Sequence, residues 1–221
     1  MQYKRNLLLT VLFVLIACFV WLSIFVAHHP IPKFDLEISL AVQKYHSDAL
    51  DKIMLAISFF GELPYSLLSV IIVALIFYYY RYKREAFFIA QILFSGLLIL
   101  VVKNYVNRPR PTEFYVRLVE INRFQSFPSG HVLSYVLFFG FLIVLMRHLK
   151  NIPQATRRVV TVISAFLVVM IAPSRIYLGA HWFTDTLGGF ILGLICLFPL
   201  CWLYFKKRNG DKAKPHPRHL N

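Results

Sequence analysis

His181 and Asp185 stand four residues apart in the run Ser174-Arg175-Ile-Tyr-Leu-Gly-Ala-His181-Trp-Phe-Thr-Asp185. On a helix that spacing puts both on one face, a turn apart. A carboxylate that accepts from one ring nitrogen fixes the imidazole tautomer and leaves the other nitrogen free to attack. Asp185 also abuts an apolar run, where an unpaired carboxylate is costly. It therefore needs a partner, and His181 is the nearest candidate. A structural His–Asp pair at a helix start would satisfy the same spacing. A second group is Phe127-Pro128-Ser129-Gly130-His131. Pro and Gly mark a turn into a helix, and a helix N-terminus turns unpaired N–H groups and a positive dipole end toward an anion. Ser129 can donate from its hydroxyl, and His131 can exchange a proton near neutral pH. An ordinary helix cap followed by an interfacial histidine would read the same way. The third group is Lys103-Asn-Tyr-Val-Asn-Arg108-Pro-Arg110-Pro111. Guanidinium forks match phosphate oxygens and lysine adds a compact charge, although Lys and Arg at a span end also snorkel toward lipid headgroups.

Long apolar elements must position these groups. The chain is 58% hydrophobic, above the near-half usual in soluble domains, and the excess is gathered in runs. Residues 7–27 carry no charge and, at about twenty residues, suffice to cross a hydrocarbon core of roughly 30 Å. Six crossings are predicted, over 7–27, 63–80, 86–102, 132–146, 159–171 and 186–205, the fourth and fifth extending into their flanks. The expected fold is all-α, a polytopic membrane helical bundle with six transmembrane helices and short interfacial helices. Residues 1–205 form one membrane domain, and 206–221 a basic, disordered cytoplasmic tail. The first run is longer than a signal-peptide core and lacks a nearby cleavage site, so it is read as a retained span. Cys18, Cys196 and Cys201 lie in apolar runs without metal-ligand spacing and read as small buried apolar side chains.

The net charge of +14 would suit nucleic acid only on a soluble basic face. Here the cations flank the spans, so no nucleic-acid partner is expected. Lys4 and Arg5, then Arg81, Lys83 and Arg84, then Arg147, Lys150, Arg157 and Arg158, then Lys206, Lys207, Arg208, Lys212, Lys214 and Arg218 fall at alternate span boundaries. The positive-inside rule assigns all of them, and both termini, to the cytoplasm. Segments 28–62, 103–131 and 173–185 then lie on the outer side. The first holds an amphipathic stretch, with Leu36, Ile38, Leu40, Ala41 and Val42 interleaved with Asp35, Glu37 and Gln43, and a short helix over 50–60 at the interface. The other two hold all three polar groups.

That conjunction resembles the tripartite signature of the type 2 phosphatidic acid phosphatase superfamily, K-x6-R-P, P-S-G-H and S-R-x5-H-x3-D. Lys103, Arg110 and Pro111 match the first part, Pro128 to His131 the second, and Ser174, Arg175, His181 and Asp185 the third. The resemblance implies a membrane lipid phosphatase that works through a phosphohistidine. It implies His181 as nucleophile, Asp185 as its orienter and His131 as acid and then base. Lys103, Arg110, Arg175, Ser129 and Gly130 N–H would hold the phosphate oxygens. Three cations would take the place a metal holds in many phosphatases, so metal-independent activity without a cofactor is expected. Arg108 lies outside the signature and receives no catalytic role. Substrates in view are phosphatidylglycerophosphate, phosphatidate, undecaprenyl pyrophosphate and a lipid A phosphate. Segment 112–127, with Glu113, Arg117, Glu120 and Arg123, is the expected lid or headgroup reader. The vanadium haloperoxidases share this signature, but their relatives are soluble. A non-hydrolytic lipid-phosphate binder or transporter would have no need of His181, His131 and Asp185 together.

Overall fold

The computed structural model describes residues 2–121 and 124–212. Among the described residues the chain forms nine α-helices: α1 (Gln2–His28), α2 (Lys33–Gln43), α3 (Asp48–Ser58), α4 (Tyr65–Tyr79), α5 (Lys83–Ala90), α6 (Ser95–Val106), α7 (Gly130–His148), α8 (Gln154–Tyr177) and α9 (Phe183–Lys212). Five apolar stretches are long enough to span a bilayer, and one of them is α5 and α6 joined through the 3₁₀ turn Gln91–Phe94. The sixth candidate is a bent pair of helices. α3 and α4 meet at 60° across the 3₁₀ turn Phe59–Gly61 and the following Glu62-Leu63-Pro64. Pro64, at the start of α4, fixes its own φ and biases the residue before it toward extended backbone, which re-aims the chain between the 3₁₀ turn and α4.

Topology makes α4 a crossing despite its 15 residues. Glu62, just before it, touches His131 at one end of the bundle. Arg84, just after it, donates to the Tyr204 carbonyl at the other. α7 is the axis of the bundle: 67% of its most apolar window is buried, against 6% for α1, which faces lipid. Val132, Leu133, Phe141 and Leu145 pack from α7 onto Leu167 and Ile171 of α8 and onto Leu192 and Tyr204 of α9. Cys18 is exposed on α1, contrary to the expectation of burial, and Cys196 and Cys201 are half-buried.

Helix ends, not helix middles, build the polar end. α6 stops at Asn107, whose left-handed conformation (φ 48°) lets its N–H close onto the Lys103 carbonyl. Pro109 and Pro111 then keep the chain extended. α7 starts on Ser129, whose hydroxyl accepts from Val132 N–H as an N-cap. After α8 the chain turns at Gly179 (φ 71°), where any Cβ would collide with the Arg117 carbonyl. α9 begins two residues beyond His181.

α2 is oriented inside out. Its buried residues are Asp35, Ser39 and Gln43, a polar stripe at four-residue spacing, while Phe34 and Leu40 point outward. The amphipathic stretch therefore presents its polar face to protein. α9 continues to Lys212, so residues 206–212 of the expected tail are helical, whereas Lys214 and Arg218 lie outside the described residues.

Candidate active site

The three motif groups meet at one end of the bundle. Lys103 ends α6, Ser129 to His131 start α7, Arg175 ends α8, and His181 and Asp185 straddle the start of α9. Lys103, Ser129, Arg175, His181 and Asp185 are buried, and Arg110, Gly130 and His131 are half-buried.

His181 has two differently committed nitrogens. Arg110 Nη1 lies 3.4 Å from Nε2. A guanidinium only donates, so Nε2 carries the lone pair and Nδ1 the proton. Nδ1 faces Ser126 Oγ at 3.5 Å and Asp185 Oδ2 at 3.6 Å. Asp185 is thus close to His181 but does not hydrogen-bond it directly, because its oxygens have stronger partners. Arg108 Nη1 donates to Oδ1 at 2.5 Å, and Oδ2 accepts from the Ser126 hydroxyl and from Trp182 N–H at 2.8 Å. The last bond closes the first turn of α9, since a carboxylate three residues past a cap reaches back to the cap's N–H. His181 and Asp185 therefore stand together as their spacing suggests, but Arg108, given no role from sequence, is the residue that holds the carboxylate, and the Ser126 hydroxyl sits beside it, equally near the ring.

Backbone carbonyls fix Lys103 and Arg110, and a carboxylate fixes Arg175. Lys103 Nζ donates to Gln125 O and, at 3.4 Å, to Ser126 O. Arg110 donates through Nε to Phe124 O at 2.5 Å and through Nη1 to Ala180 O at 2.7 Å. Arg175 forks onto Glu120, 2.7 Å on each arm, and Nη1 also reaches Ser58 Oγ. Arg175 Nε is buried with no acceptor among the described residues. His131 Nε2 donates to Glu62 Oε1 at 2.9 Å. Gly61 backs that ring so closely that a Cβ there would overlap His131 Cδ2 and Cγ.

Crowding of cations sets the electrostatics. Burial first, then Arg110, Lys103, Arg175 and His131, hold the His181 imidazole well below its ordinary value of 6.5. It is neutral at pH 7. Burial and then Arg175 push the Arg110 guanidinium down to about 10, which leaves it charged at neutral pH.

The expected lid is differently employed. Arg117 forks onto Asp51, with Nη1 at 2.9 Å from Oδ2 and Nη2 at 2.5 Å from Oδ1, and it lies over the Tyr177 ring. It pins α3 to the segment that follows α6 and has no free fork for a headgroup. Glu120 faces inward onto Arg175, Glu113 is exposed, and Arg123 lies outside the described residues. Sequence reasoning missed Arg108, Ser126 and Glu62 as members of the site, and it placed Glu120 in a lid instead of on Arg175. Of the three missed, only Arg108 gave a signal, as a second cation beside Arg110.

A helical membrane bundle with two histidines and three cations gathered at one polar end defines a membrane-embedded phosphatase. The family profile described as the PAP2 superfamily matches residues 84–209, more than half of the chain, and the chain belongs to that superfamily. It is similar to phosphatidylglycerophosphatase B of Bacillus subtilis (strain 168), 28% identical over 165 residues that cover 74% of this chain and 80% of the relative. The crystal structure of a transmembrane PAP2-type phosphatidylglycerolphosphate phosphatase from Bacillus subtilis superposes with a TM-score of 0.76 at 26% identity, covering 95% of this chain and 98% of that one. Aquifex aeolicus LpxE shares the fold, with a TM-score of 0.58 at 24% identity over 76% of this chain and 94% of its own. The protein is a multi-pass membrane lipid phosphatase, a hydrolase of phosphate esters.

Proposed function

We propose that the phosphate of a membrane lipid is transferred to His181 and then to water. The observation that carries this reading is the His181 ring, with its Nε2 lone pair turned toward Arg110 and its Nδ1 proton turned toward Ser126 and Asp185. Nε2 attacks phosphorus in line, and the N–P bond forms as the bond to the leaving oxygen breaks. His131 gives that oxygen its proton, then takes one from the water that attacks the phosphohistidine, so His181 and inorganic phosphate are released. Asp185 stabilises the positive ring that the N–P bond creates. Lys103, Arg110 and the free Nε of Arg175 face the equatorial oxygens. The Ser129 hydroxyl proton, not used by its N-cap bond, and the first-turn N–H of Gly130 add donors. These charges act without a metal ion.

The substrate has its phosphate at the membrane surface and its chains in lipid. Similarity to the Bacillus subtilis enzymes favours phosphatidylglycerophosphate, with phosphatidate and undecaprenyl pyrophosphate as competitors in the same site. The alternating cations support cytoplasmic termini and an outward-facing site. The test is phosphate release from these lipids in detergent, with and without chelator, against His181→Ala. Release lost in the variant and indifferent to chelator is the expected result; release that survives in His181→Ala overturns the assignment.

A further inference from the structure

The polar stripe of α2 ends in an ion network that reaches the reacting histidine. Asp35 is 0% exposed, Arg108 1% and Asp185 0%, so their charges meet one another and not water. Arg108 Nη2 donates to Asp35 Oδ2 at 2.7 Å and Nη1 to Asp185 Oδ1 at 2.5 Å. Nη1 also donates to Thr184 Oγ1 at 2.6 Å, and Nε to Pro30 O at 2.8 Å. Thr184 in turn donates to Asp35 from its N–H at 2.9 Å and from its hydroxyl at 2.5 Å. α2 precedes the part of the chain that the family profile matches.

We propose that Asp35 is a positioning residue for phosphoryl transfer, acting through Arg108 to fix the orientation and the charge of Asp185 behind His181. The inference rests on the reading of His181 as nucleophile. Its physical basis is charge balance. Arg108 with Asp185 alone would be a neutral pair. Asp35 shares the guanidinium, so the three groups together carry one net negative charge on the Nδ1 side of His181. Arg110 stands on the Nε2 side, and Lys103 and Arg175 add positive charge around the ring. As Nε2 bonds to phosphorus the ring becomes cationic, and the negative cluster stabilises that charge while the three cations oppose it. Arg108 also occupies Oδ1, which leaves Oδ2 as the oxygen nearest the ring.

Asp35→Asn keeps the shape and an acceptor for Thr184 N–H while removing the charge. With a water-soluble phosphate ester, kcat per folded enzyme should fall by more than ~10-fold but less than the ~10⁴-fold that follows removal of an orienting carboxylate itself in a Ser-His-Asp site. KM should change little. The acid limb of kcat/KM should move to lower pH, because a lost negative charge disfavours the protonated ring. The double variant Asp35→Asn with Arg108→Gln restores the net charge without restoring the clamp, so its kcat should stay low while its acid limb returns toward the wild-type pH. A wild-type kcat and limb in Asp35→Asn overturn the proposal. Should that variant not fold, a wild-type kcat in the double variant overturns it equally. His181→Ala is assayed alongside. If it is inactive while the Asp35 variants are normal, only this inference fails; if it remains active, the reading beneath it fails.

Discussion

A histidine surrounded by four cationic or ionisable neighbours is a strong nucleophile only while it stays neutral, and burial with Arg110, Lys103, Arg175 and His131 ensures this. The sign for pH follows. A depressed folded-state value means the unfolded chain binds the proton more readily, so this residue's contribution to stability declines as pH falls below 6.5 and levels off only at the lower folded value. In NMR spectra of histidine-labelled enzyme, the resonance missing from His181→Ala should titrate well below 6.5; a midpoint at or above it would contradict the electrostatic account. His131 depends on steric support instead. Gly61→Ala forces its ring off Glu62. General acid catalysis contributes about 10²–10⁴-fold, so kcat on an alkyl phosphate should drop by a sizeable part of that with KM nearly unchanged. The drop should shrink on p-nitrophenyl phosphate, whose leaving oxygen needs no proton, and equal losses on both esters would count against His131 as acid. The motif residues were legible because short spacings tie each to a chemistry. Glu62, Ser126, Arg108 and the inward turn of Glu120 were not, because their partners lie 55 to 77 positions away and no local pattern encodes such pairs.

The spans were legible as elements because each is a long apolar run, although α1, α8 and α9 extend five to seven residues beyond the expected bounds. The short helix expected over 50–60, set apart from the crossing at 63–80, corresponds to α3, and Pro64 stands at the start of α4. The facing of α2 escaped. In an element bordered by lipid on one side and protein on the other, a polar stripe can turn toward either water or protein, and periodicity does not choose. Buried partners chose here: Gln43 Nε2 donates to Arg117 O and Tyr177 O, both at 2.8 Å, and Gln43 Oε1 accepts from Arg117 N–H at 3.0 Å. Gln43→Leu would leave two carbonyls and one N–H without partners, each worth about 1–3 kcal/mol when buried. The midpoint of thermal inactivation in detergent should fall by several degrees, with the kcat of the surviving enzyme close to wild type. An unchanged midpoint would mean that α2 is not held by this stripe.

The whole molecule has two chemically opposite ends. One gathers the C-termini of α6 and α8, the N-termini of α7 and α9, and the side chains of the three motifs. At the other, Arg84 meets Tyr204 and His148 packs on Phe205. The basic segment between α7 and α8, with Arg147, Lys150, Arg157 and Arg158, belongs to that second end, since α7 and α8 both leave their polar ends at the site. An enzyme built this way acts on one leaflet only, and which leaflet is a question of insertion. Positive loops resist translocation, so the basic end should remain in the cytoplasm and the site should open on the far side. Tyr45, 76% exposed beside the site, and Lys150, exposed at the opposite end, make sensitive reporters. Cys18, Cys196 and Cys201 lie within spans, out of reach of a water-borne reagent, so background labelling should be low. In intact cells a membrane-impermeant maleimide should label Tyr45→Cys and spare Lys150→Cys, and permeabilisation should expose both. The reverse pattern would put the site on the cytoplasmic leaflet, where newly made lipid phosphates arise. The lipids this enzyme meets would then be set by synthesis, not by transport across the bilayer.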